Sequence, residues 1–341
     1  MQALVLAGGE GTRLRPLTLT TPKPVLPLAG RPFLTFMLDW LHGHGVEEAI
    51  LSLGFLSDAV HEVLGDIQSG MRLRYVHEDE PRGTAGPVRL AADEGILADR
   101  FLVLNGDVLT DMDLTAEIAQ HERTGALGTL ALIEVDDVSS YGVVPTKATG
   151  EVEAFLEKSD GPAPTNRINA GAYVLERSVV DLIPSGRAVS FERDVFPQMV
   201  LNGLYGWAAD GYWIDIGTPE RYLEATWDLL AGRLSSTLPE RDETGSLIYE
   251  PSVTSGAHIG PQTVVGAHSS VGADTAVERS VLHERVVVGA EAVVRESIVG
   301  QGARIGEGAR MQRAVIGAGA QIEAGTVLEE GTRIQPRAEG E

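Results

Sequence analysis

Leu6-Ala7-Gly8-Gly9-Glu10-Gly11-Thr12-Arg13-Leu14-Arg15-Pro16 opens directly from a short apolar run, Ala3–Leu6, at the start of a 341-residue chain. The apolar run reads as a first β-strand. Gly8, Gly9 and Gly11 let a backbone come close to an anion, and consecutive N–H groups there can form an anion nest. Arg13 and Arg15 add charge-assisted donors. The string is not a P-loop, because no Gly-Lys-Ser/Thr follows, and it is not GxGxxG, because the third Gly is missing. Ten residues beyond Arg13, Lys23 stands in Thr21-Pro22-Lys23-Pro24. The prolines restrict the backbone around it and aim the ammonium as a second phosphate clamp. Taken alone, the stretch is equally a Gly-rich turn with surface cations.

Around this loop, short apolar runs alternate with helical patterns as far as Leu234, as an α/β domain requires. Strands are expected at Ala3–Leu6, Glu48–Ser52, Leu73–His77, Phe101–Leu104 and Gly128–Glu134, and helices at Phe33–His44, Ser57–Leu64, Val88–Leu97 and Pro219–Ala231. Ser235–Ser246 is polar, carries Pro239 and Gly245, and reads as a linker. Beyond it the period changes. Apolar residues step by six from Ile259 to Val265, Val271 and Val277, by five to Leu282, then by six to Val288 and Val294 and by five to Val299. The doublets Leu247-Ile248, Val264-Val265, Val281-Leu282, Ile298-Val299 and Val315-Ile316 mark a 17-residue repeat, two hexapeptides and one five-residue side. This is the signature of a parallel β-helix of about five coils. A platform for subunit contact or packing is its first reading. An acyltransferase is the other, since His258, His268 and His283 lie here, though nothing in the sequence supplies them with a partner.

Composition excludes several classes. Net charge is −22, so the basic footprint of a nucleic-acid binder is absent. No apolar stretch approaches the about 18 residues of a membrane span, and no basic n-region precedes the first apolar run, so cytoplasm is the expected compartment. There are no cysteines, which removes disulfides and thiolate metal sites. If the substrates are anions, local Arg and Lys with a divalent cation must reverse the field.

The block from Leu6 through Pro24 resembles the signature of the sugar-phosphate nucleotidylyltransferases. The match continues through Glu78–Gly86 (EDEPRGTAG), Leu104–Val108, Tyr141–Val144, Phe155–Lys158, Ile168–Val174, Ser190–Pro197 and Tyr212–Tyr222, in the family's order. The guanylyltransferases that act on mannose 1-phosphate are the most similar subgroup. The fold this implies is α/β, with a Rossmann-like nucleotidyltransferase domain over residues 1–234, a linker at 235–246, a C-terminal left-handed parallel β-helix of hexapeptide-type repeats at 247–336 and a tail at 337–341.

The resemblance also implies roles. Leu6, Ala7, Gly8, Gly9, Gly11, Thr12, Arg13, Lys23, Glu78, Gly83, Thr84, Asn105, Gly106 and Asp107 would meet the nucleotide. Gly142, Glu157, Lys158 and Asn169 would meet the sugar phosphate. Asp107, at the end of an apolar strand, and Asp215, in Trp213-Ile214-Asp215-Ile216-Gly217, would hold Mg²⁺, a hard ion suited to few carboxylates plus phosphate. Asp111 and Asp113 read instead as turn residues before a helix beginning near Leu114. Glu192, in Ser190-Phe191-Glu192-Arg193-Asp194, either touches sugar hydroxyls or braces its loop.

The implied reaction needs no protein nucleophile: an oxygen of the sugar 1-phosphate attacks the α-phosphorus and pyrophosphate leaves. Arg13 would hold the leaving phosphates, Lys23 would neutralise charge near the α-phosphate, and Lys158 would hold the attacking phosphate. Glu78 falls where family members that use thymidine or uridine nucleotides carry Gln. A carboxylate accepts from the adjacent N1–H and N2–H donors of guanine, which favours GTP, although Arg82 departs from the apolar residue common there. Mannose 1-phosphate is the favoured acceptor, and a homo-oligomer is expected. Glucose 1-phosphate or a cyclitol phosphate with another nucleotide, and a non-catalytic sensor of sugar nucleotides, stay open as alternatives.

Overall fold

The computed structural model describes residues 1–156, 163–254 and 256–337. By compactness the chain divides into two units, Met1–Gly9 with Met37–Trp213, and Glu10–Phe36 with Ile214–Glu341.

The first unit is built on an eight-stranded sheet. Its strands are β1 (Gln2–Leu6), β2 (Glu48–Leu53), β3 (Ile67–Gln68), β4 (Met71–His77), β5 (Arg100–Asn105), β6 (Gly128–Glu134), β7 (Arg167–Glu176) and β8 (Leu204–Ala208), in the order β8-β6-β7-β5-β1-β2-β4-β3. Strands β1, β2, β4 and β5 run parallel. Strands β1, β2 and β5 are buried along most of their length, so their sequences are near-continuous apolar runs, whereas β4 alternates buried Met71, Leu73 and Val76 with exposed Arg72, Arg74 and His77. Strand β7 is antiparallel to both neighbours and carries a bulge between Asn169 and Tyr173. The helices are α1 (Leu34–Gly43), α2 (Ser57–Leu64), α3 (Gly86–Asp93) and α4 (Leu114–Thr124). Helix α3 begins two residues before the expected Val88, because Pro87 is tolerated in a first turn where its missing N–H has no partner to lose. Asp113 caps α4, accepting from the Ala116 amide at 3.1 Å, as a turn aspartate should. The core gathers Leu4, Ile50, Phe101, Val103, Tyr173, Phe191 and Phe196, all buried.

In the second unit the repeat becomes three parallel sheets of two- and three-residue strands, stacked coil upon coil. Leu247↔Val264, Val264↔Val281, Val281↔Ile298 and Ile298↔Val315 pair one coil to the next at the 17-residue period. Val265, Val271, Val277, Leu282, Val288 and Val294 point inward as one core. The corners explain the period. One residue in the left-handed region turns each corner, at Gln262, His268, Asp274, Arg279, Arg285, Glu291 and Glu296, repeating the same steps of six and five. This arrangement is consistent with the expected left-handed β-helix. Helix α5 (Pro219–Leu230) belongs to the same unit, where the Arg279 guanidinium lies 3.7 Å from the Trp227 ring centroid.

Candidate active site

The first unit carries most of the expected nucleotide set, and the register of its parallel strands gathers Leu6, Asn105 and the segments that follow them. Leu6 stands opposite Ser52 on β2 and opposite Asn105 on β5, so the segments leaving these strands start from one edge. Chain order reverses at β1, with β2 and β4 to one side and β5 to the other, which is the switch point where open α/β sheets bind ligands. Two glycines permit the close approach there. A Cβ on Gly106 would stand 2.6 Å from the Leu6 carbonyl oxygen, and one on Gly8 would stand 2.8 Å from a Glu78 carboxylate oxygen. Asp107 follows Gly106 at this edge and is half-buried.

Glu78 leaves the end of β4. Its Oε1 accepts from the Ser52 hydroxyl at 2.6 Å and its Oε2 from the Arg82 amide at 2.9 Å. Ser52 is fully buried, so the carboxylate is anchored from below by a group with no freedom to leave. Each carboxylate oxygen keeps a second lone pair for a further donor. Gly83 is held at φ +71° against Val189, in a segment closed by Ala85 N–H to Val189 O and Val189 N–H to Arg82 O, both 2.9 Å.

A part-buried polar network joins several expected residues through Glu192. Asn169 donates to the Tyr173 hydroxyl at 2.8 Å, and its backbone amide donates to Gly142 O at 3.2 Å. Tyr173 donates to Glu192 Oε1 at 3.4 Å, while Thr84 and Ser190 donate to Glu192 Oε2 at 2.7 and 2.6 Å. Burial first, and then the charges of Glu192 and Asp107, hold the Tyr173 phenol well above its usual pKa, so it remains a donor. Glu192 therefore braces its loop and ties Thr84 to Asn169. The sequence signal was present in the motif, but a carboxylate beside Ser190 does not announce partners 108 residues away. Glu157 and Lys158 lie outside the described residues.

The second unit carries Gly11, Thr12, Arg13 and Lys23 of the expected nucleotide set, and Asp215. Gly11 adopts φ 61° and starts a 3₁₀ helix over Thr12–Leu14. Its Cβ position lies 3.3 Å from the Lys23 Cβ, so the loop and the Thr21–Pro24 turn pack together. Arg15 pairs with Glu10 at 2.7 Å. The Arg13 guanidinium lies against Gly217, where a Cβ would come within 2.6 Å of one of its nitrogens. Asp215, half-buried, ends the strand Trp213–Asp215 and precedes Thr218, which caps α5. Thr12 and Arg13 are exposed and Lys23 is half-buried.

Of the β-helix histidines, His258 and His268 are exposed, whereas His283 is buried and shares a hydrogen bond of 3.1 Å with the Tyr222 hydroxyl. Tyr222 also contacts Pro27 O, a pure acceptor, so its single proton goes to Pro27 and His283 Nε2 donates to the phenol oxygen. Burial depresses the His283 pKa to about 4, which leaves a neutral packing imidazole.

A family model described as nucleotidyl transferase matches residues 2–232, and one described as the GMPPB C-terminal domain matches residues 246–338. The chain belongs to the nucleotidyl transferase family. Its relatives narrow the class. It is 42% identical over 271 residues to the mannose-1-phosphate guanylyltransferase of Mycobacterium tuberculosis, covering 78% of this chain and 75% of that one. It is 39% identical over 264 residues to the mannose-1-phosphate guanyltransferase of Yarrowia lipolytica, covering 75% and 70%. It is 35% identical over 277 residues to mannose-1-phosphate guanylyltransferase 1 of Arabidopsis thaliana, covering 78% and 76%. Nucleotidyl transfer, the reaction expected from the motifs, is the family's activity, and members generally use a divalent metal. Among the described residues, no helix is long and apolar enough to cross a membrane.

Proposed function

We propose that this chain transfers the guanylyl group of GTP to mannose 1-phosphate, giving GDP-mannose and pyrophosphate. The observation that carries this reading is the held carboxylate of Glu78, in a chain whose relatives are named for that reaction. Guanine presents two adjacent donors, N1–H and N2–H₂, and the free lone pairs of Glu78 accept both. Uracil and thymine offer one donor between carbonyls, and a half-buried carboxylate facing a carbonyl loses solvation without gaining a partner.

The sugar phosphate oxygen forms a bond to the α-phosphorus while the α–β anhydride bond breaks, and the electron pair leaves with pyrophosphate. Arg13 holds the departing phosphates, Lys23 offsets charge at the α-phosphate and Lys158 holds the attacking phosphate in line. Gly8, Gly9 and Gly11 offer backbone donors, and Gly142 and Asn169 with Glu157 take the sugar. Asp107 and Asp215, each a half-buried carboxylate at a strand end, are hard oxygen donors of the kind Mg²⁺ takes. The ion, when bound, screens the repulsion between two anionic substrates. The β-helix serves assembly of a homo-oligomer. Pyrophosphate release measured for GTP, ATP, UTP and dTTP against mannose 1-phosphate, glucose 1-phosphate and a cyclitol phosphate tests the reading. It requires the highest kcat/KM for GTP with mannose 1-phosphate, and any other best pair overturns it.

A further inference from the structure

The loop that carries Arg13 is held from the far end of its own unit. Arg333 lies in the last paired strand of the β-helix, Arg333–Ile334, fixed by its register with Val315 and Ile316. One of its guanidinium nitrogens donates to two backbone carbonyls at once, Arg13 O and Arg15 O, each at 3.0 Å. These two residues are more than three hundred positions away in sequence. Within the loop, the Leu14 amide donates to Gly11 O at 2.9 Å and the Arg15 amide to Thr12 O at 3.2 Å. The peptide group between Arg13 and Leu14 is therefore engaged on both sides, by Gly11 at its N–H and by Arg333 at its carbonyl.

Glu220, in the first turn of α5, supplies the guanidinium with a counter-charge. Burial alone would raise the Glu220 pKa, but the Thr218 hydrogen bond, its own amide and the charges of Arg333 and Arg313 bring it below the usual carboxylate range. Arg13 is thus constrained twice. Its side chain rests on Gly217, just ahead of the same helix, and its carbonyl is turned onto Arg333.

We propose that Arg333 is a positioning residue for the nucleotide, by which the terminal coil of the β-helix orients the Arg13–Arg15 backbone. The physical reason is electrostatic. A carbonyl oxygen carries partial negative charge, and one free to turn toward a triphosphate opposes binding. Drawing two of them onto a cation leaves the loop presenting donors and the Arg13 side chain. Arg333 itself takes no part in bond making. The inference rests on the assignment of Arg13 to the nucleotide phosphates.

The test uses the full chain with Arg333→Met, which keeps the length of the stem and removes charge and donors, Arg333→Lys, and Arg13→Ala. Steady-state kinetics are run against both substrates, with amide hydrogen exchange over residues 10–20 and the unfolding midpoint of each variant. Arg333→Met is expected to raise the KM for the nucleotide by about tenfold, equivalent to the loss of one net hydrogen-bonded interaction. The KM for the sugar phosphate and the midpoint stay unchanged, and the Leu14 and Arg15 amides exchange faster. Arg333→Lys recovers most of the nucleotide KM. An unchanged nucleotide KM with unchanged exchange overturns the proposal. Equal rises in both KM values together with a lower midpoint also overturn it, by showing a role in general stability only. Full turnover of Arg13→Ala would remove Arg13 from the phosphate machinery, and Arg333 would still be decided by its own KM split and exchange.

Discussion

Replacing His283 with Gln should flatten the dependence of stability on pH. His283 is buried in the β-helix with its Nε2 on Tyr222, and its pKa is depressed from 6.5 to about 4 by burial. The folded pKa lies below the unfolded one, so between the two values the unfolded chain binds more protons than the folded chain. Stability from this group is complete above pH 6.5, falls as the pH drops, and is exhausted near pH 4. A difference of about 2.5 units at ~1.4 kcal/mol per unit amounts to about 3 kcal/mol, a sizeable share of the 5–15 kcal/mol that holds an ordinary domain. Urea unfolding of parent and His283→Gln at half-unit steps from pH 7.5 to 4 measures it, because the carboxylates common to both chains cancel in the difference. Gln retains a donor for the Tyr222 oxygen but does not titrate. The stability advantage of the parent should shrink by about 3 kcal/mol across that range. Parallel curves would refute the reasoning and would mean that His283 reaches solvent. The consequence for activity is local, since Tyr222 belongs to α5, whose cap Thr218 follows Asp215 by three residues.

Asp107→Asn and Asp215→Asn should each keep the fold and lower kcat by about 10²–10³, or ~3–4 kcal/mol of lost electrostatic stabilisation, and near-parental turnover of both at saturating Mg²⁺ would remove them as metal ligands. Glu78→Gln should cost about 1–3 kcal/mol in kcat/KM for GTP, because the amide turns a donor toward either the guanine edge or the Arg82 amide; an unchanged preference for GTP over UTP would refute the account of base choice. Truncation after Leu234 should lower the unfolding midpoint and alter the oligomeric mass or solubility, since the assembly platform is removed, Tyr222 loses His283 and Trp227 loses Arg279, and exposing each such side chain costs ~1.5–3 kcal/mol; an unaltered midpoint and mass would contradict it.

Much of this protein could be read along the chain because its strongest signals are local or periodic. The Gly8–Arg15 loop announces itself by the glycines that let a backbone approach an anion, directly after an apolar strand. The β-helix announces itself through Val265, Val271, Val277 and Leu282, because each coil repeats the same inward position and the same corner conformation at a fixed step. Asp113 as a turn residue before the helix at Leu114 follows from equally short-range chemistry, whereas α3 starts at Gly86, two residues before the expected Val88.

What only the tertiary structure decided are the partners that arrive from far along the chain. Ser52 beneath Glu78, Glu192 between Thr84 and Tyr173, and Arg333 on the carbonyls of Arg13 and Arg15 all depend on which strands become neighbours. His283 shows the same limit. In sequence it is one of three histidines on a repeat that is polar outside, and its role turned on whether that corner faced solvent or Tyr222. Periodicity fixes which residues point inward within a coil. It carries no information about which outward-pointing residues another segment will cover, because that is set by contacts across the chain, where burial and hydrogen bonding outweigh any local preference.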